Sequence, residues 1–498
     1  MDRRTDTSLR CCTVTACAIL LVAAAPASAQ QRLTASQIAG DVALVEATLE
    51  HLHPGYTRFA TDDALAQAWA AIVTRARADG GLASAEFYLA VSRVLAEVRC
   101  NHTKAELPPA LTESRRTTPT YLPLRWQFIG APARAIIADP VAGTGLQRGD
   151  EILAIDGVDI ATLIRRYAPF VPVDGFNDSA RIDELAFSSE FPGGAIEHFG
   201  SLAEPPAETA ALTIRGADSA VRVVTVPRLT GDEWRAHLAA SGGFYRNFRD
   251  AVTLRFPAAG VAYLDVGTFV NYRQPIDPAA LYDPVFRALA ARNVDTLIVD
   301  LRRNGGGSTD AQQGLFERLI TEPTRLMRTV TAKAASFGPA AGHVGTWDSR
   351  AMAMAPDDYA ALPDGDYRVN PAWVGTSLVE LEPHPLGFRG SLIVLIDETL
   401  SSGSNHLVSR LADRPAMTLL GTPGGGNAAG ATAGIIYMLT LPSSGIVVRV
   451  PAWRHYVDRP GLADDARVLP DITVTQDIDD WRRGHDTQLA KALDLASR

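Results

Sequence analysis

The sequence predicts an α/β protein in which helices lead into a β-rich middle and a strand–helix alternation fills the second half. Three observations carry this. Short apolar runs at residues 261–266, 296–300, 392–396 and 417–420 have the length and β-branched content of buried strands. Between and after them, apolar residues recur at helical spacing: across 277–291, at Leu315, Leu319 and Ile320, and at Leu407, Val408 and Leu411. Residues 118–230 read instead as short strands and turns. Strands alternating with helices make an α/β core.

Taken in order, the chain divides into a leader and three further parts. Residues 1–29 have a basic start (Arg3, Arg4, Arg10), an apolar stretch over 17–25 and a small-residue cleavage site, Ala27-Ser28-Ala29. They predict a signal peptide, export to the periplasm or the exterior, and no membrane span once the leader is removed. Residues 30–115 read as an N-terminal helical domain, 118–230 as the β-rich module and 250–498 as the strand–helix domain, which carries the chemistry described below. Cys11, Cys12 and Cys17 leave with the leader, so Cys100 is the one cysteine of the mature chain and no internal disulfide forms. The formal net charge of −9 and the lack of a clustered basic stripe argue against nucleic acid as a partner.

The helical part shows an apolar face at Ile38, Val42, Leu44, Val45 and Leu49, then helices over 64–78 and 84–98. The last of these runs into Cys100-Asn101-His102-Thr103. Read by itself, His102 is a helix-end histidine using its charge on the C-terminal dipole. Residues 170–205 form a long insertion that reads either as a lid or as a plain loop.

Two stretches carry chemistry. After the strand at 392–396 comes Ser401-Ser402-Gly403-Ser404-Asn405, then a helix. A serine at a strand–turn–helix bend has an exposed hydroxyl beside the free N–H groups of a helix N-terminus; the plain alternative is a helix cap. After the strand at 296–300 comes Leu301-Arg302-Arg303-Asn304-Gly305-Gly306-Gly307-Ser308. Successive glycines let backbone N–H groups point into open space, as an oxyanion hole requires. No Gly-Lys-Ser/Thr follows, so this is not a nucleotide loop.

Together "VDLRRNGGG" at 299–307, the serine cluster followed by "LLGTPGGG", and "LPDI" at 469–472 resemble the tail-specific, or C-terminal processing, protease family, in its tricorn-like branch. The resemblance implies a crotonase-like spiral of ββα units for the catalytic domain. Residues 146–157 are similar to bacterial PDZ domains, which bind peptide ends, although residues 121–126 lack the glycine-rich carboxylate loop. It further implies Ser402 as nucleophile, His102 as general base, and the N–H groups of Gly403 and of Gly306 or Gly307 as oxyanion donors. Ser401 and Ser404 are then caps, and Asn405 stands where the family has a glutamate. Where the commonest branch has a lysine there is Asn427, and the chain's three lysines, Lys104, Lys333 and Lys491, all lie outside both stretches. A Ser–His pair with Asp464 as third member follows by resemblance. No His/Cys/Asp/Glu spacing suggests a metal, so neither metal nor cofactor is expected. The expectation is an exported serine peptidase acting on peptides or unfolded protein ends. Its rival is an inactive peptide- or ligand-binding protein that kept the fold.

Overall fold

In the computed structural model the described residues are 31–188, 190–241 and 247–498; the expected signal peptide lies outside them. The second half is organised by a six-stranded sheet in the order Val252–Ala258, Val261–Val266, Thr296–Asp300, Ser391–Ile396, Met417–Gly421, Ile472–Thr473. Its first pair is an antiparallel hairpin; every later pair is parallel. Parallel neighbours need crossovers, and these put helices on the sheet and bury its strands on both faces. Helices Pro278–Ala291, Thr309–Leu319 and Ser402–Leu411 cover one face, where Phe286, Leu315 and Leu407 meet Leu297, Val299 and Val394. On the other face Ala492 packs against Tyr263, Ile298 and Leu395. The tail forms two helices, Ile478–Arg482 and Thr487–Ala496. Gly484, at φ +77°, breaks the first, and Asp486 caps the second through the N–H of Leu489.

A second, seven-stranded sheet contains Thr432–Thr440, Val447–Val457 and Met327–Ala332. Its longest strand, Val447–Val457, also takes up Ala105–Glu106 from the N-terminal part. The N-terminal helices do not keep a core of their own. Ile38, Val45, Leu49 and Phe87 belong to the same continuous apolar cluster as Ile435, Tyr437 and Val450. That shared core brings the end of the Ser84–Glu97 helix against the catalytic half.

The middle module is an antiparallel sheet in the order Leu124–Ile129, Arg134–Pro140, Glu151–Ile155, Thr209–Arg215, Val221–Pro227. Between its third and fourth strands, the insertion forms two helices, Asp178–Ala186 and Gly194–Ala203. Ile182 and Asp183 of the first face the cleft described next.

Candidate active site

All three parts of the chain border one open cleft of about 2140 Å³. Ser402, Gly403, Gly306, Gly307 and His102 line it together. The serine turn follows from where the strand Ser391–Ile396 ends. Ser402 opens the helix at φ +49°, in the left-handed region. A non-glycine residue held there costs about 1–3 kcal/mol, which the surrounding structure must supply. No described residue makes a hydrogen bond to its Oγ. Ser401 and Ser404, expected as caps, do something else. Ser401 has no side-chain cap bond and donates to the carbonyl of Gly305 at 3.1 Å. Ser404 donates to the carbonyls of Asn304 and Ser401. Both hydroxyls therefore tie the serine turn to the glycine loop.

The glycine loop is fixed by the residues that precede it. Asp300, fully buried, accepts from Tyr263 at 2.7 Å and from Nε of Arg302 at 2.9 Å. Asn304 donates to the carbonyl of Val266 at 2.8 Å and accepts the N–H of Gly306 at 2.9 Å. Of the two glycines expected as oxyanion donors, Gly306 is thus already committed. Its role is closeness: at φ +97°, a Cβ there would lie 2.9 Å from Cβ of Ser402. Gly307 forms a bridge with Phe269 in which Ser308, not Gly307, donates. At φ +142° a side chain on Gly307 would strike the carbonyl carbon of Phe269 at 2.3 Å. Its N–H has no acceptor among the described residues, and a Cβ on Gly403 would stand 3.8 Å from its nitrogen. Gly403 lies in the first helical turn, where N–H groups lack intrahelical acceptors. The side chain of Gln312 holds this turn from behind, donating to the carbonyl of Gly403 at 2.7 Å. Sequence reasoning missed Asn304 and Gln312. An Asn two residues before a glycine N–H is a legible turn signal; Gln312 carries none.

His102 reaches the cleft because the strand at Ala105–Glu106 docks on Val447 and Val448 and because Thr103 bonds Nε2 of His53 at 2.9 Å. The ring is partly buried, and burial is the first cause that holds its pKa below the ordinary imidazole value. Asp174 and Glu190 oppose that shift, while Lys104 and Arg449 add to it. Two further histidines stand near. His406 and His455 have ring centres 5.6 Å apart, and burial pushes both pKa values down, that of His455 to about 4. Nε2 of His406 accepts the N–H of Ala431 at 3.0 Å, so that nitrogen is committed.

Asp464, expected to complete the site, lies elsewhere. Its carboxylate is 73% exposed, pairs with Arg454 at 3.1 Å, and is absent from the cleft wall. The buried guanidinium groups of Arg454 and Arg58 match its charge. Asn427 is turned away as well, donating to the carbonyl of Asp464 at 2.5 Å, and Asn405 donates to the carbonyl of Asn427 at 2.8 Å. None of the three lysines lines the cleft. Cys100 is buried, and burial pushes its thiol up to about 12, which leaves it a poor nucleophile. Asp183, Asp397 and Glu398 also line the cleft with raised pKa values, burial being the larger cause in each. Sequence spacing hides one further group. A ring nitrogen of His102, a carboxylate oxygen of Asp174 and the sulfur of Cys100 lie within 4.8 Å of one another.

With its site so arranged, the chain was compared with known proteins. Residues 260–474 match the model of peptidase family S41. The fold is similar to that of a serine-to-alanine mutant of CPAF, with 15% identity over 92% of this chain and 96% of that one at a TM-score of 0.65. It is likewise similar to mature CPAF complexed with lactacystin, with 16% identity over 92% and 97% at a TM-score of 0.61. At these identities the likeness is one of fold. No curated protein sequence matches the chain. The likeness to peptidase family S41, a family of serine-type peptidases, thus lies in residues 260–474, the stretch that carries the glycine loop and the serine turn.

Proposed function

We propose that this is an exported peptidase that cleaves peptides or unfolded protein ends through an acyl-enzyme on Ser402. The observation that carries the reading is the strained Ser402, with an unengaged hydroxyl, set against the N–H groups of Gly403 and Gly307. In the first step His102 takes the hydroxyl proton as Oγ bonds to the scissile carbonyl carbon. The carbonyl electron pair moves onto oxygen, which the two N–H groups receive. Collapse re-forms the carbonyl and breaks the C–N bond, and His102 returns its proton to the leaving amine. Water then repeats the sequence on the acyl-enzyme and releases a carboxylate.

The same reading takes residues 250–498 as a crotonase-like domain and 118–230 as a PDZ-like module that presents chain ends to the cleft. The parallel sheet with its crossover helices and the antiparallel sheet at the cleft's edge support this. Export rests on the leader pattern in residues 1–29. A fluorophosphonate probe tests the chemistry. It should label Ser402 stoichiometrically, and Ser402→Ala should lose both labelling and hydrolysis of a fluorogenic peptide. Labelling that survives in Ser402→Ala would point to another nucleophile.

A further inference from the structure

Asp174 sits in the connection that leads into the insertion's first helix, a place to which neither the motifs nor the family match assigns a role. We propose that Asp174 orients His102 for proton transfer, the part the resemblance gave to Asp464; the inference rests on the reading of Ser402 and His102 given above.

Three hydrogen bonds stitch the segment carrying Asp174 to the one carrying His102. The N–H of Gly175 donates to the carbonyl of Arg99 at 3.0 Å, and Nη1 of Arg99 donates back to the carbonyl of Gly175 at 3.1 Å. The N–H of Asn101 donates to Oδ1 of Asp174 at 2.9 Å. One carboxylate oxygen is thereby anchored one residue before the histidine. The other, Oδ2, is buried without a partner, and the residue as a whole is 6% exposed. Nδ1 of His102 is also buried without a partner. Ring nitrogen and carboxylate oxygen lie within 4.8 Å. A buried polar atom left unpaired costs about 1–3 kcal/mol, so two such atoms on side chains this close are read as one missing bond rather than two defects. An Nδ1–H donating to Asp174 fixes the tautomer that leaves Nε2 with its lone pair toward the cleft.

The other charged groups around the ring are already matched. Glu190 pairs with Arg449 at 2.7 Å and with Lys104 at 3.8 Å, whereas Asp174 has no ion pair among the described residues. His53, His406 and His455 complete the surroundings, all with lowered pKa values.

The test uses the full chain, one fluorogenic peptide, and rates across roughly pH 5–9. Asp174→Asn should lower kcat by about 10²–10⁴ with KM little changed, and Asp174→Glu should recover part of the loss. The sign of the pH shift separates orientation from scaffolding. The Asp174 carboxylate raises the pKa of His102, so its removal moves the acidic limb to lower pH. Mere loosening would hydrate the ring and move the limb upward toward about 6.5. Near-wild-type kcat in Asp174→Asn, an upward limb, or a larger loss in Asp464→Asn overturns the proposal. So does activity that a chelator abolishes and zinc restores, since Cys100, His102 and Asp174 would then be metal ligands. If Ser402→Ala and His102→Ala stay active, the peptidase reading itself fails; if those two are dead while Asp174→Asn is normal, only this inference does.

Discussion

The backbone N–H of Ala431 donates to Nε2 of His406 across 3.0 Å, and this bond decides which histidine near Ser402 is free to accept a proton. His406 stands one helical turn after the nucleophile, but its basic nitrogen is occupied and its other nitrogen must carry the proton. His102→Ala should therefore remove nearly all turnover. His406→Ala should keep the chemistry within about tenfold, roughly 1.4 kcal/mol of barrier. Its cost should appear as lost stability of about 1–3 kcal/mol, because a buried N–H loses its acceptor. Fluorogenic turnover and thermal melts on both variants check this; a dead His406→Ala beside an active His102→Ala reverses the assignment.

The pH profile follows from the same ring. The proposed proton transfer needs neutral His102, and burial lowers its pKa below the ordinary value of about 6.5. The rate should hold as pH falls through that value and decline only further down. A limb centred above about 7 in kcat/KM would contradict a buried imidazole as the base.

Asn304 holds the loop that supplies Gly307. Asn304→Ala frees the N–H of Gly306 and leaves the carbonyl of Val266 without its donor. The expected result is a kcat lower by about 10–10³ with little change in KM, since an oxyanion donor acts on the transition state. A rise in KM alone would place Asn304 in substrate binding.

Hydroxyl and imidazole need no metal, so a chelator should leave hydrolysis unchanged. Metal analysis of the purified protein with activity in excess chelator tests this.

How far the sequence could be read depended on the range of the interactions. The parallel strands were legible because residues buried on both faces read as unbroken apolar runs, as at Thr296–Asp300. The nucleophile helix was legible because its local pattern sets its start. Ser401 and Ser404 misled because a hydroxyl at a helix start looks the same whether it caps or reaches across to the carbonyls of Asn304 and Gly305. Gly306 misled because glycine signals backbone freedom but not whether the N–H is spent. Asp174 was beyond reach altogether, for its pairing with residues 99–102 is a contact between separate segments. The insertion's helices were missed because each is short, nine and ten residues, with little periodicity to detect.

The docking of Ala105–Glu106 on Val447 and Val448 joins an early and a late segment of the polypeptide beside the cleft. Under the function proposed above, the base at His102 and the nucleophile at Ser402 are separated by most of the chain. The growing polypeptide then holds no assembled site until its last long strand, Val447–Val457, has been laid down and has taken up Ala105–Glu106.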